Sequence, residues 1–479
     1  MPTKDEQGKY VLICPQGGAQ PKTYRKVKKG GFVENKSRGE GKEYVIRKAK
    51  ESNVKFVQLW FTDILGFLKS FTIPVEELEG AIEEGVGFDG SSIEGFVRID
   101  ESDMIAMPDP STFKLLPWRP KEQGAEARMF CDIYTPSKEP FEGDPRYVLK
   151  KNLKKAADLG YTYYTGPELE FFYFRDNKIN EPLDAGGYFD MDPHDAATNL
   201  RRDAILALEE MGIAIDKSHH EVAYSQHEID MQYSDALTMA DNVMTYRLVV
   251  KQVAIEHGFH ATFMPKPVFG INGSGMHVHQ SLFKGKRNAF FDASDKYHLS
   301  KIAKHYIAGL LRHAPEITLA CNQWVNSYKR LVPGYEAPVY LSWARRNRSD
   351  LIRVPEYRPG RENATRIEFR SPDPACNPYL AFSVMLAAGL EGIEKEYELP
   401  APVEENVYEM SVKEREKRGI KTLPASLWEA ILLTEKSKLV REALGDHLFN
   451  AVIHNKKIEW DQYRTQVTDY ELKRYLPIL

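Results

Sequence analysis

The chain has 479 residues, 42% apolar and 28% charged, with a formal net charge of −4. This is an ordinary globular balance on a chain too long for one core, and two or three domains are expected. A pI near 6.4 gives no general reason to expect nucleic acid or an anionic membrane as partner. The four cysteines, Cys14, Cys131, Cys321 and Cys376, are scattered and form no Cys-x-x-Cys pair, which excludes a disulfide scaffold and predicts reduced thiols. The longest apolar run, Tyr379 to Leu390, falls short of the roughly 20 residues that a membrane helix needs. No signal-peptide pattern opens the chain, so a cytoplasmic protein is expected.

Residues 1–42 hold ten Lys or Arg against four Asp or Glu, with Gly-Gly at 17–18 and 30–31 and no sustained apolar period. They read as a basic, mobile extension, a solvated tail rather than a contact for an anionic partner. From Val54 the pattern turns to strand, with a turn at 63–66 and a second strand to Ile73. A short acidic helix follows from Pro74 to Glu84, then a Gly-rich loop over 85–95 and a further strand at 127–134. A linker with Pro136, Pro140, Gly143 and Pro145 closes this small strand-rich domain, placed at 43–140.

Beyond it, 141–479 interleaves helices and strands as one large α+β domain. Asp144-Pro145 caps a helix that stops at Gly160. Two more helices are predicted over 195–211 and 236–257, and Ser426 to Glu429 opens a helical C-terminal region. The stretch Asn326 to Pro338 reads as a loop, because Pro333, Gly334 and Pro338 break regular structure and present Arg330 and Glu336 from irregular backbone.

Four segments place ionisable side chains on one strand face. Glu168 and Glu170 lie two apart among aromatic residues. His277, His279 and Ser281 share a face, Glu368 sits between Arg366 and Arg370, and His220-Glu221 and His227-Glu228 bracket a short loop. Any one of these is a hydrated sheet face in most proteins. Together, flanked by residues that bury a strand, they require paired or metal-bound charge. Five glutamates and a histidine in two sets suit two hard cations such as Mg²⁺ or Mn²⁺. A zinc-protease reading fails, because no histidine stands at the required spacing from His220-Glu221. No phosphate-binding Gly-rich loop is present. A nucleotide would therefore be handled by metal and by arginines such as Arg330, Arg345, Arg346, Arg348, Arg353, Arg366 and Arg370, an inventory that suits phosphoryl transfer.

From about Glu43 onward the chain resembles glutamine synthetase of the type I, prokaryotic class. The resemblance rests on Phe-Asp-Gly-Ser-Ser-Ile at 88–93, Gly-Pro-Glu-Leu-Glu-Phe at 166–171, Asn-Gly-Ser-Gly-Met-His at 272–277, the 326–338 loop and Arg-Ile-Glu-Phe-Arg at 366–370. It implies a β-grasp N-terminal domain, a glutamine-synthetase-type catalytic domain and a homo-oligomer of two hexameric rings, a dodecamer. It also implies a reaction in which glutamate, ammonium and ATP give glutamine, ADP and phosphate. Carried over by position, Glu170, Glu221 and Glu228 would hold one metal, and Glu168, His277 and Glu368 the other. Asn272, Gly273, Arg330 and Arg370 would contact glutamate, and Tyr233, His279, Ser281, Arg348, Arg353 and Arg366 would contact ATP. Asp89 would receive ammonium, with Ser92, Tyr188, Glu221 and Glu336 nearby.

The resemblance further implies that Arg98 senses glutamine as a feedback inhibitor in the non-adenylylated subgroup. Two departures stand out. Tyr224-Ser225 occupies a place where relatives often have Pro-Gly or Pro-Ser, and the sequence after Tyr408 lacks the Asp-Leu-Pro-Pro that follows the adenylylated tyrosine of the regulated subgroup. Two other readings are a γ-glutamyl ligase that uses an organic amine and a non-catalytic regulatory relative. The intact Asp-Gly-Ser-Ser at 89–92 weighs against the first, and the complete set of metal-ligand residues weighs against the second.

Overall fold

The computed structural model describes residues 38–93, 95, 102–119, 123–178, 180–345 and 350–479, together with the paired two-residue strands Thr3–Lys4 and Tyr10–Val11. A helix, Arg38–Glu51, runs through residue 42, where the sequence pattern marks the end of the basic extension.

The small domain is one sheet with Val54–Thr62 near its centre. This strand pairs antiparallel with Leu68–Pro74 and parallel with Ala125–Tyr134, and Asp103–Pro108 then links Ala125–Tyr134 to Val86–Asp89. The expected loop over 85–95 thus begins with a strand. Gly85 and Gly87 mask it in the sequence by interrupting the apolar alternation on which strand recognition depends. Val57, Leu59, Ala127, Met129 and Leu78 form the core between the sheet and its helices.

The large domain is organised around a second sheet with the strand order Ile215–His220, Gln226–Met231, Thr162–Phe174, Met276–Lys284, Ile367–Phe369, Asp350–Arg353 and Tyr340–Ala344. Every neighbouring pair on this path is antiparallel except the last, Asp350–Arg353 with Tyr340–Ala344. Helices Pro145–Asp158, Ala236–Glu256, Lys301–Cys321 and Pro378–Glu394 cover the sheet and build the main core. The long apolar run of the sequence is the last of these, and its residues Tyr379 to Leu386 are all buried. Asn377 caps it, its side chain accepting from Tyr379 N (3.1 Å) and Leu380 N (3.4 Å). No helix among the described residues is long and apolar enough to cross a membrane.

The two domains are held by polar pins. Arg146, 3% exposed, reaches Asp109 (2.9 Å) and Asp132 (2.6 Å) of the small domain and Asp241 (2.9 Å) of the large one. Asn377 Nδ2 donates to the carbonyls of Asp63 (3.1 Å) and Ile64 (3.3 Å), and Gln323 Nε2 to that of Leu65 (2.6 Å). Cys131, Cys321 and Cys376 are free and buried.

Candidate active site

The register of the large sheet assembles the site. Glu170 faces Glu228 across one strand pair and Glu168 faces Asp230. On its other side Glu168 faces His277, His279 faces Glu368, and Glu368 faces Arg353. Residues that share a face by period 2 on each strand are thereby joined into one band of carboxylate, imidazole and guanidinium groups running across five strands.

Glu168, His277 and Glu368 each offer a ligand atom within 4.8 Å of the others. His277 Nδ1 lies 3.6 Å from Glu168 and 3.8 Å from Glu368. Burial and the neighbouring Arg370 push the His277 imidazole down to about 4, so it is neutral and has a lone pair to offer. Glu368 is fully buried and held ionised, at about 2. Burial opposes this, but the charges around it, first Arg370 and with it Arg353, outweigh it. Its hydrogen-bonded partners are Arg353 and Arg370. Arg366, expected beside it from the sequence, instead donates from Nε to His279 Nδ1 (3.2 Å), and His279 Nε2 meets Glu168 at 2.9 Å. Alternation along a strand puts Arg366 and Glu368 on the same face, but the chain is extended only over Ile367–Phe369.

The second group joins Glu221 and Glu228 with His219, whose Nε2 lies 2.8 Å from Glu221 and 3.8 Å from Glu228. Glu170 stands beside them. Its carboxylate accepts from Gly275 N (2.8 Å) and Gln226 Nε2 (3.0 Å), and it is pushed up to about 8 by burial and next by Glu221. Glu228 is raised well above the usual carboxylate range by burial, then by Asp230 and Glu168. Buried carboxylates that cannot ionise together are the donor set a divalent cation fits, because its charge removes the repulsion that keeps them protonated. His219, Asp230 and Gln226 were not singled out by the sequence. Asp230, which pairs with Lys217, shows only as the next alternate position after Glu228.

A third cluster, Asp184, His220 and His227, also has metal-ligand spacing. Here Arg201 donates to His227 Nδ1 (2.8 Å), which fixes the proton on the other ring nitrogen and places a positive charge beside it. The cluster works as a buttress. His220 Nδ1 donates to the Glu221 carbonyl (2.7 Å), and Asp184 Oδ1 accepts from Ser225 N (2.9 Å). Ser225 has φ 58, the left-handed conformation that glycine takes easily, so at the Tyr224-Ser225 departure the turn is held by Asp184 instead.

Between the two donor sets lies an open cleft lined by Glu170, Glu221, Gln226, Asn272, Gly273, His277, Arg330, Tyr335, Glu336, Ala337 and Arg370. Gly273 in its lining must be glycine, since a Cβ there would stand 2.3 Å from the Pro265 carbonyl, and one on Gly275 beside it would stand 2.5 Å from the Arg330 guanidinium. Arg330 ends the short helix Ser327–Arg330, where the sequence suggested irregular backbone, and is anchored by donation to the carbonyls of Ser371 (2.7 Å), Pro372 (3.3 Å) and Arg370 (3.2 Å). The buried Nε of Arg370 has no partner, leaving a donor for an anion.

Tyr233 is exposed near Tyr164, and Ser281 is buried on the strand of His277. Tyr188 stacks on Phe189 and lies perpendicular to the His219 ring at 5.5 Å. Asp89 and Ser92 are exposed on the small domain and do not line this cleft. Asp89 accepts from Ser91 N (2.8 Å), and its carboxyl is held below the usual range by the Ser91 hydroxyl and amide. Arg98 and Arg348 lie outside the described residues.

The catalytic-domain model of glutamine synthetase matches residues 142–475, and the glutamine synthetase β-grasp model matches 53–136. The chain is 55% identical over 442 residues to a glutamine synthetase of Mycolicibacterium smegmatis, covering 91% of this chain and 99% of that protein. It is 55% identical to one of Methanosarcina mazei, covering 91% and 98%. Among solved structures, a GmaS–ADP complex superposes with a TM-score of 0.83 at 30% identity, covering 90% of this chain and 99% of that one. A Plasmodium falciparum glutamine synthetase superposes with a TM-score of 0.82 at 27% identity, covering 92% and 99%. With its β-grasp domain, catalytic domain and paired donor sets in place, the chain belongs to the glutamine synthetase family.

Proposed function

We propose that the chain ligates ammonium to the γ-carboxylate of L-glutamate through γ-glutamyl phosphate, converting ATP to ADP and phosphate, in the manner of the type I class. The observation that carries this is the band of opposed acids, imidazoles and guanidinium groups beside a cleft edged by Glu336. Arg330, Arg370, Asn272 and Gly273 hold glutamate. Tyr233, His279, Ser281, Arg348, Arg353 and Arg366 hold ATP, and the arginines offset the repulsion as a carboxylate attacks a phosphate. Mg²⁺ or Mn²⁺, when bound at Glu168, His277 and Glu368 and at Glu170, Glu221 and Glu228, neutralises and polarises the phosphates. Ionised Asp89, with Ser92 and Tyr188 nearby, takes up ammonium and removes its proton. Glu336 excludes water from the acyl phosphate and accepts a further proton after attack.

The proposal extends to organisation: an extension over 1–42, a β-grasp domain over 43–140, a catalytic domain over 141–479, a cytoplasmic location and assembly into a dodecamer. The exposed apolar residues Phe269, Leu476, Ile478 and Leu479 support burial by further copies. Arg98 is assigned as the glutamine sensor. Arg98→Ala is expected to keep activity and lose inhibition by glutamine, and equal inhibition of both proteins refutes the assignment. The decisive assay is glutamine formation from glutamate, ammonium and ATP with methylamine as a competing amine. Glutamine and phosphate in equal amounts support the reading, and preferential use of methylamine replaces it with an organic-amine ligase.

A further inference from the structure

Glu336 is held in a conformation that its own chain disfavours. Its φ is 55, in the left-handed region, which costs a residue with a side chain on the order of 1 kcal/mol or more. The loop carrying it, with Pro333 and Gly334 exposed, cannot supply that restraint alone. Something outside the loop must hold it.

Two contacts do so, one on each side of Glu336. On the C-terminal side, the Tyr408 hydroxyl donates to the carbonyl of Ala337. Tyr408 is itself set in place. Its ring packs on Tyr340 (5.8 Å), Arg415 lies over Tyr340 (4.6 Å), and Arg415 donates to the carbonyls of Val407 (3.2 Å) and Met410. On the N-terminal side, the Lys266 ammonium lies 4.1 Å from the centre of the Tyr335 ring and donates to the Ile271 carbonyl. Lys266 is fixed by a reciprocal pair of bonds with the Asn326 side chain, its N donating to Oδ1 (2.7 Å) and its O accepting from Nδ2 (3.0 Å). Asn326 opens the segment that carries Arg330, so the same lysine ties the rim of the cleft to its floor.

We propose that Tyr408 and Lys266 are positioning residues that clasp the loop on either side of Glu336, keeping its carboxylate at the mouth of the cleft and so setting how tightly ATP use is coupled to glutamine formation. This rests on the role given above to Glu336. Neither residue touches the reacting atoms on this reading. When the Tyr408 bond is lost, Glu336 relaxes to an ordinary backbone conformation, the loop opens and water reaches the acyl phosphate, whose hydrolysis returns glutamate and phosphate. The cation–π contact of Lys266 holds the other flank in the same way.

The test uses the full-length enzyme with Tyr408→Phe, Lys266→Met, Glu336→Ala and the Tyr408→Phe/Glu336→Ala double variant. Phosphate and glutamine are measured together, and hydrogen exchange is followed in peptides spanning 331–341. Tyr408→Phe is expected to raise phosphate released per glutamine about fivefold, the population change that one hydrogen bond controls. Exchange across the loop should quicken while the KM for ATP stays within about twofold, since uniform binding is untouched. Lys266→Met should act in the same direction. The double variant should be no more uncoupled than Glu336→Ala alone, because the clasp acts only through that residue. A wild-type phosphate-to-glutamine ratio in folded Tyr408→Phe overturns the clasp while leaving the ligase reading intact. Failure of the wild-type protein itself to form glutamine overturns both.

Discussion

Glu368 shows why a ligand in a buried ladder cannot be removed as if it lay on the surface. It is fully buried and bonded to Arg353 and Arg370, so Glu368→Ala strips the shared carboxylate from two guanidinium groups. It is expected to destabilise the protein by about 3–5 kcal/mol as well as to stop turnover. Glu368→Gln keeps the volume and one acceptor. Its amide nitrogen meets one of the two guanidinium groups, so it should fold with a melting temperature below that of the wild type but above that of Glu368→Ala, and lose about 10²- to 10³-fold in glutamine formation, the scale of losing a preorganised charge. Wild-type turnover in folded Glu368→Gln would remove Glu368 from the site. Asp144 poses a different question. It caps the helix Pro145–Asp158 and accepts from Ile133 N (3.0 Å) and Arg146 N (2.9 Å), and burial, then Asp132, pushes it up to about 7. An unfolded aspartate titrates near 3.9. Between these values the folded state binds the extra proton, so this group's contribution to stability falls as pH rises from about 4 to about 7 and is level above that. Asp144→Asn should flatten that slope in denaturant titrations compared with wild type, and parallel pH profiles would disprove the assignment.

At the scale of elements, the helices Lys301–Cys321 and Pro378–Glu394 cross with almost no room between their backbones. A Cβ on Gly392 would lie 2.2 Å from the His305 carbonyl and 2.8 Å from Gly309 Cα. Backbone cannot yield as a side chain can, so Gly392→Ala is expected to destabilise by about 1–3 kcal/mol or more through overpacking. Its turnover per folded molecule should be unchanged, because the crossing lies behind the sheet; thermal melting with active-site titration checks both. This crossing was invisible in the sequence, where the run from Tyr379 to Leu390 showed only that it is apolar. The charged strands were legible because period-2 spacing is local, and Glu168 with Glu170, and His277 with His279, could be read from their own neighbours. What the sequence could not show was which residues oppose one another across strands distant in the chain. That register gives Glu368 to Arg353 rather than Arg366, and brings His219 to Glu221 and Glu228. Gln226 was overlooked for the same reason, since its three acceptors, Glu170, Gly273 and Ser274, come from other segments.

The whole molecule leaves Asp89 exposed on the small domain, while the cleft is lined from the large domain alone. If Asp89 completes the cleft of a neighbouring copy, Asp89→Asn and Glu368→Gln fail on opposite sides of one interface. Reassembling the two inactive proteins together should then restore about a quarter of the sites, as expected for independent head-to-tail neighbours. No recovery in mixed assemblies verified by mass would place Asp89 outside the neighbour's site. Such sharing depends on how firmly the small domain is carried, and the turn at 63–66 answers that. Its carbonyls are gripped by Asn377 and Gln323, and a Cβ on Gly66 would come within 2.9 Å of Asn377 Cα. The turn is a dowel in a socket at the head of the helix Pro378–Glu394, so the proline-bearing segment after residue 134 need not act as a hinge. For chimeras between relatives, the practical boundary is therefore not the linker. A transplanted β-grasp domain will seat correctly only when the 63–66 dowel and its 323 and 377 socket come from the same parent.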